Sequence, residues 1–148
     1  MQQATFPTIL EAPRVALRIG LGLAAFLAGL DKFIGLLADW PGYLAPVIAG
    51  MLPVSPEAFM RLAGIVEMIV GLAILTRWPR EGAWVVAAWL LLIAVNLVLT
   101  GRFFDVAVRD VEMAIAAFAL ARLTEAHAAA FGTARIVASP TTRAEHAA

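Results

Sequence analysis

The chain has 148 residues, of which 62% are hydrophobic and 15% are charged, and its mean hydropathy is +0.88. Soluble domains carry about 25% charged residues, so this composition excludes an ordinary soluble fold and predicts one membrane-embedded domain over residues 1–148. The zero net charge argues against nucleic acid as a partner, and the absence of cysteine excludes disulfides, iron–sulfur clusters and thiolate metal sites.

Four stretches predict membrane-spanning helices, because each is close to the roughly 20 mostly apolar residues that a helix needs to cross a bilayer. They cover residues 13–38, 56–78, 82–101 and 105–123. Pro13 and Pro56 suit the first turns of the first two helices, and Arg18 can extend to the near interface of the membrane. Only residues 79–81 separate the second stretch from the third, so these helices should be antiparallel neighbours.

The fourth stretch, residues 105–123, is short, rich in alanine and charged in its first two turns. No sustained apolar run follows it, and residues 124–148 therefore predict a mobile extramembrane tail. Both histidines, His127 and His146, lie in this tail, so no pair of histidines can hold a haem between the helices. We expect the histidines to face solvent, and Trp89 in the third stretch to serve the aromatic belt and packing.

Together the four stretches predict an all-α fold, a four-helix bundle in the membrane. Arginine and lysine are more frequent on the side that holds both termini than on the other side. The first side has Arg14, Arg18, Arg77, Arg80, Arg122, Arg135 and Arg143; the second has Lys32, Arg61, Arg102 and Arg109. The positive-inside rule then predicts a multi-pass protein of the inner (plasma) membrane, with both termini in the cytoplasm.

Glu67 is the charged residue that lipid should reject most strongly, since it follows Pro56 by eleven residues within an apolar stretch. Met60, Gly64, Glu67, Gly71 and Ile74 follow the three-and-four spacing of one helix face. This face predicts that Glu67 points between the helices. A carboxylate there needs either a cationic partner or a raised pKa that leaves it neutral.

The side of the membrane opposite the termini should gather further polar residues into one layer. These are Asp31, Lys32, Arg61, Asn96, Arg102, Asp105, Arg109, Asp110 and Glu112. Asp31 and Lys32 precede the end of the first stretch and should turn inward, and Asn96 can donate a hydrogen bond to a carboxylate. Two interpretations remain open: a layer that only fixes the packing of the helices, or a site that binds a ligand or handles protons.

The uncharged connection between the first two stretches contains four prolines and is too interrupted to cross the membrane. One interpretation is an interfacial helix or a lid over the polar layer, with Trp40 and Tyr43 at the level of the lipid headgroups. The other is a packed loop that covers helix ends.

In three places the sequence resembles the DoxX family of small four-helix membrane proteins: residues 17–33, 64–75 and 105–110. The features that match the family are Gly29, Lys32, Glu67, Gly71, Arg109 and Asp110. Members of that family include a membrane subunit of thiosulfate:quinone oxidoreductase. The resemblance implies a four-helix membrane fold and a quinone headgroup near Lys32, Glu67 and Arg109, with Asn96 beside them.

The leading functional hypothesis is therefore a quinone-interacting or scaffold subunit of a membrane redox assembly. Such a subunit would not catalyse electron transfer alone and would need a redox enzyme as its partner, because we expect no metal or covalent cofactor here. The first alternative is a small proton-coupled transporter or channel built around Glu67. The second is a purely structural membrane anchor. Homo-oligomerisation fits any of the three, because faces of small residues also pack between chains.

Overall fold

The structure is a computed structural model that describes residues 5–137 and the side-chain surroundings of residues 9–131, and its regular secondary structure is helical. The helices are α1 (Thr5–Ile34), α2 (Pro46–Ala49), α3 (Pro56–Leu75), α4 (Pro79–Leu99) and α5 (Phe104–Val137), and a 3-10 turn covers Trp40–Tyr43. Residues 5–137 contain no strand. The predicted all-α fold class is thereby confirmed.

Three of these helices are long and apolar enough to cross a membrane: α1 over Ile9–Ile34, α3 and α4. Helix α5 is longer, at 34 residues, but charged residues interrupt its apolar stretches. Large hydrophobic side chains are exposed on the outer faces of the helices, among them Ile69, Leu92 and Ile115. A protein with such surfaces and such helices has the character of a membrane protein.

The first helix differs from its predicted limits at both ends. It begins at Thr5, so Pro13 lies inside the helix and not at its start. It ends at Ile34, because Gly35 adopts a left-handed φ of 69°, a conformation that commonly terminates helices at glycine. The predicted stretch ran on to residue 38, and Trp40 and Pro41 just beyond it belong to the 3-10 turn that follows.

Helix α5 continues past Leu123 as far as Val137, into the segment that was expected to be a mobile tail. Alanine, which dominates residues 126–130, has the highest helix propensity of all residues. His127 Nε2 lies 3.2 Å from Glu11 Oε2, so this part of α5 also contacts the beginning of α1. Residues 138–148, including His146, lie outside the described part of the chain.

The four long helices pack as two close pairs, α1 with α3 and α4 with α5, and the contacts between the pairs are fewer. Gly29 and Gly64 bring α1 and α3 together so closely that each glycine faces the backbone of the other helix. Small buried residues such as Ala87 and Ala121 serve α4 and α5 in the same way. The interior is therefore filled mostly by small apolar residues, and it also contains the charged residues Asp31, Glu67 and Asp110.

Arg18 joins the two members of the first pair near the end of α3. Its Nε donates to the carbonyl oxygen of Ile74 at 2.9 Å, and Nη2 donates to that of Leu75 at 2.8 Å. These carbonyls belong to the last turn of α3, where no helical N–H is available to them. Arg18 thus caps α3, a role that its expected position at the membrane interface did not suggest.

Candidate functional site

Lys32 and Glu67 form an ion pair in the interior. Lys32 Nζ lies 2.5 Å from Glu67 Oε2, and the two side chains are 5% and 8% exposed. Glu67 belongs to the buried stripe of α3 that the sequence predicted, and that stripe is confirmed. Lys32 is close to the end of α1, but its side chain turns back along the helix, because Nζ is also 3.5 Å from the carbonyl oxygen of Ala28. The partner required by Glu67 is therefore this lysine.

The other oxygen of Glu67 is held by α4. Trp89 Nε1 donates a hydrogen bond of 3.1 Å to Glu67 Oε1, so each carboxylate oxygen has its own donor. Trp89 was expected to serve the aromatic belt and packing, and its hydrogen bond to Glu67 was not predicted. A signal was present in the sequence: Trp89 precedes Asn96 by seven residues, which is two helical turns, and thus shares its face.

Trp40 also lies against the ammonium group of Lys32. The centre of its indole ring lies 3.8 Å from Lys32 Nζ, a distance at which the ring attracts a cation. Its Nε1 donates to Asp31 Oδ2 at 2.8 Å. Asp31 also accepts hydrogen bonds from the backbone N–H groups of Leu36 and Leu37, both at 3.0 Å. Asp31 therefore does not contact the ion pair directly; it fixes the chain after α1 and the indole that lies over Lys32.

Asn96 anchors the connection between α1 and α3. Its Oδ1 accepts from the backbone N–H of Ala45 at 2.9 Å, and its Nδ2 donates to the carbonyl oxygen of Tyr43 at 2.7 Å. Both ends of the amide therefore bind backbone groups. The sequence had suggested a carboxylate as the partner of Asn96 instead. Leu44 and Ala45 are buried, whereas Met51 is exposed. The connection therefore packs over the helix ends and also places Trp40 at the site.

Arg109 and Asp110 form a second pair, with 3.1 Å between Arg109 Nη2 and Asp110 Oδ1. The carboxylate is 4% exposed and the arginine side chain 60% exposed, so only Asp110 is inside. The remaining charged residues of the predicted layer are exposed: Arg61, Arg102, Asp105 and Glu112. The layer thus divides into an inner group around Lys32 and Glu67 and an outer group that faces the surroundings.

Two apolar cavities meet at the ion pair. The central cavity, about 120 Å³, lies among α1, α3, α4 and α5 and is bordered by Ala28 and Asp110. The seam cavity, about 310 Å³, lies between α3 and α4 beneath the connection. Leu92 and Val95 border the seam cavity and are 64% and 58% exposed, so this cavity opens towards the outer surface of the helices.

Tyr43 is the second aromatic residue of the predicted lid and borders both cavities. Its ring packs edge-on against those of Trp40 and Phe103, with ring centres 5.9 Å and 4.6 Å apart. Lys32, Glu67 and Trp89 also border both cavities. A molecule in the seam cavity would therefore meet apolar walls along its length and this polar group at its inner end.

The chemistry available at this end is hydrogen bonding and proton exchange. A lysine ammonium has three N–H donors, so a ligand oxygen can share Lys32 with Glu67. An ion pair in apolar surroundings is weakly screened, which strengthens its interaction with any oxygen that gains negative charge. Among residues 9–131 no group of three or more histidine, aspartate or glutamate side chains is arranged to hold a metal ion.

In comparisons with known proteins, no family model, no curated protein and no solved structure matches the chain.

Proposed function

We propose that the protein is a four-helix bundle of the inner membrane that binds a quinone-type molecule in the seam cavity, as the membrane subunit of a redox assembly. The observation that carries the proposal is the seam cavity itself. It opens at the exposed, apolar outer faces of α3 and α4 and ends at the Lys32–Glu67 pair. Lipid-soluble molecules with a polar head match this division into apolar walls and a polar end.

The first step of the proposal is that α5 crosses the membrane together with α4. Ala107 packs near the end of α4 that carries Leu97, and Ala121 packs near the beginning, around Ala83. Helix α5 thus accompanies α4 over its whole length. If α4 crosses the bilayer, α5 does so beside it, and its alanines face protein instead of lipid.

The expected topology is that Arg102 lies outside the cell, whereas Arg77 and Ala128 lie in the cytoplasm. Because the natural chain has no cysteine, each position can be tested as a single cysteine with a membrane-impermeant thiol reagent. Arg102→Cys should react in intact cells, and Arg77→Cys and Ala128→Cys only after the cells are permeabilised. Reaction of Ala128→Cys in intact cells would show that α5 returns to the outside, which contradicts the four-span arrangement.

The second step concerns the ligand. A quinone presents carbonyl oxygens that accept hydrogen bonds, and reduction places negative charge and then protons on these oxygens. Lys32 supplies a cationic donor at the inner end of the cavity, and Glu67 supplies a carboxylate that can exchange a proton. The apolar tail of such a molecule would leave between α3 and α4, where Leu92 and Val95 are exposed.

Protein extracted in mild detergent from its own membrane is expected to retain a quinone, detected by native mass spectrometry and lipid extraction. Glu67→Gln should reduce the retained quinone about tenfold or more, since a hydrogen bond to a charged group contributes about 1.5–3 kcal/mol. Ile93→Trp should reduce it as strongly by filling the seam cavity, although this variant keeps the ion pair.

Glu125→Gln is the matched control. Like Glu67, Glu125 contacts cationic side chains, here Arg80 and Arg122, and accepts a hydrogen bond from the N–H of Trp84. It borders neither cavity. It should retain as much quinone as the natural protein. Absence of quinone from the natural protein, with no redox enzyme copurified, would refute the proposal. Proton flux in vesicles that is lost in Glu67→Gln would then support a transporter, and absence of flux would support a structural anchor.

A further inference from the structure

Lys32 borders a third space, which lies on the outer surface of the protein beside the connection. This outer depression has a volume of about 530 Å³ and is bordered by residues 35–41 of the connection and by Glu57, Met60 and Arg61 of α3. Glu57, Arg61 and Asp39 are exposed there, so the depression is polar, unlike the two cavities. It lies on the side of the membrane that holds Arg102, where α1 ends and α3 begins.

Trp40 separates the outer depression from the interior. Lys32 and Trp40 border the outer depression, the central cavity and the seam cavity alike. The indole ring lies directly over Lys32 Nζ, at 3.8 Å. No other residue borders all three spaces in the described part of the chain, so the contact between this ring and this ammonium marks the place where they meet.

The indole N–H makes one hydrogen bond, to Asp31, and the ring packs edge-on against Tyr43. Asp31 also accepts hydrogen bonds from the backbone of residues 36 and 37. Trp40 itself lies in a short 3-10 turn, with Pro41 and Gly42 next to it. A 3-10 turn is less stable than an α-helix, because its hydrogen bonds have poorer geometry. Rotation of one side chain would therefore connect the outer depression with the two cavities without moving any of the long helices.

We propose that Trp40 is a gate between the aqueous side and the buried ion pair, and that Asp31 holds it closed. With the gate open, water in the outer depression passes Lys32 and reaches Glu67 and the central cavity. A ligand that gains or loses protons at the pair would exchange them with the compartment on the side of Arg102. This inference rests on the proposed function for its purpose, but its test needs no ligand.

The test measures how fast a buried cysteine reacts with a negatively charged, membrane-impermeant methanethiosulfonate added on the side of Arg102. Ala28→Cys is suitable, because Ala28 borders the central cavity one turn inside Lys32 and contributes only its backbone carbonyl to the lysine. Ala38→Cys, which borders the outer depression, is the matched control. Reactivity of a gated thiol follows the fraction of molecules in the open state.

Ala28→Cys is expected to react slowly alone and about tenfold or more faster when combined with Trp40→Ala, as the open fraction rises. Trp40→Phe keeps a ring over the lysine but lacks the N–H that binds Asp31, and it should give an intermediate rate. Ala38→Cys should react rapidly and equally in all three backgrounds. Size-exclusion profiles and melting temperatures identify any variant that does not fold, and Trp40→Phe provides the comparison if Trp40→Ala does not.

Two results would overturn the gate. Equal rates for Ala28→Cys in all folded backgrounds would show that Trp40 does not control access. An unreactive Ala38→Cys would show that the outer depression does not face water. Failure of quinone retention leaves these rates unchanged, and a failed gate leaves quinone retention unchanged, so the two proposals can be rejected separately.

Discussion

Replacement of Lys32 with methionine is expected to lower the free energy of unfolding by about 3–5 kcal/mol, the usual cost of removing one partner of a buried ion pair. Glu67 would keep its hydrogen bond from Trp89 but lose the only cation that the structure places against its carboxylate among residues 9–131. An unpaired charge in an apolar interior has no partner to offset the loss of its hydration, so the folded state becomes less stable.

The double variant Lys32→Met, Glu67→Leu is expected to recover most of this loss, since a buried pair can be replaced by apolar side chains at little cost. The measurement is unfolding of the purified protein in detergent, for both single variants and the double variant, so that the interaction energy follows from the cycle. Arg122→Met is the control, because Arg122 is 62% exposed in its pair with Glu125, and it should change stability by at most about 1 kcal/mol. Losses in the two single variants that simply add in the double variant would contradict a coupled pair.

Gly64→Ala is expected to cause the second large loss of stability, because the added methyl group would force α1 and α3 apart. A Cβ atom at residue 64 would lie 2.6 Å from the carbonyl oxygen of Gly29 and 3.1 Å from Cβ of Lys32. The first of these atoms is backbone and cannot move alone, so the two helices would have to part. We expect a loss of about 2–3 kcal/mol or more, which is typical of overpacking, measured by thermal unfolding in detergent.

Gly20→Ala is the matched substitution on the same pair of helices. A Cβ atom there meets no heavy atom within 4 Å, so no clash results. Alanine is the better helix former by about 1 kcal/mol, and stability should stay unchanged or rise slightly. If Gly64→Ala were as stable as Gly20→Ala, the close approach of α1 and α3 would not be a source of stability.

Much of the helical arrangement could be read from the sequence, because apolar stretches and their Pro and Gly boundaries have local causes. The buried face of α3 followed from the spacing of Met60, Gly64 and Glu67 alone, and the structure confirms it. The end of α1 did not follow, since it depends on the left-handed conformation of Gly35 and on the capping of the next residues by Asp31. Nor did the length of α5, which contacts α1 through His127 and Glu11.

The site was harder to predict than the helices. Sequence reasoning placed Lys32 and Glu67 among many polar residues of one layer, but only packing shows that these two meet and that Arg61 and Arg102 stay outside. The contribution of Trp89 was missed although its spacing from Asn96 places both on one face, because the almost uniformly apolar sequence of α4 does not show that this face points inward. Quinone binding, which the DoxX resemblance implies, is a proposal that the experiments described above test.

If a ligand binds as proposed, the division of the long helices into two close pairs limits the size of its head. Within the first pair, α1 and α3 approach each other backbone to backbone through glycine. The contacts between the pairs are fewer, and they include the hydrogen bond from Trp89 to Glu67 and the close packing of Gly82 against Ile74. A head that fits the seam cavity, about 310 Å³, could enter with the pairs undisturbed. A bulkier head would have to push α3 and α4 apart, and loss of the Trp89–Glu67 bond would report that such a molecule had entered.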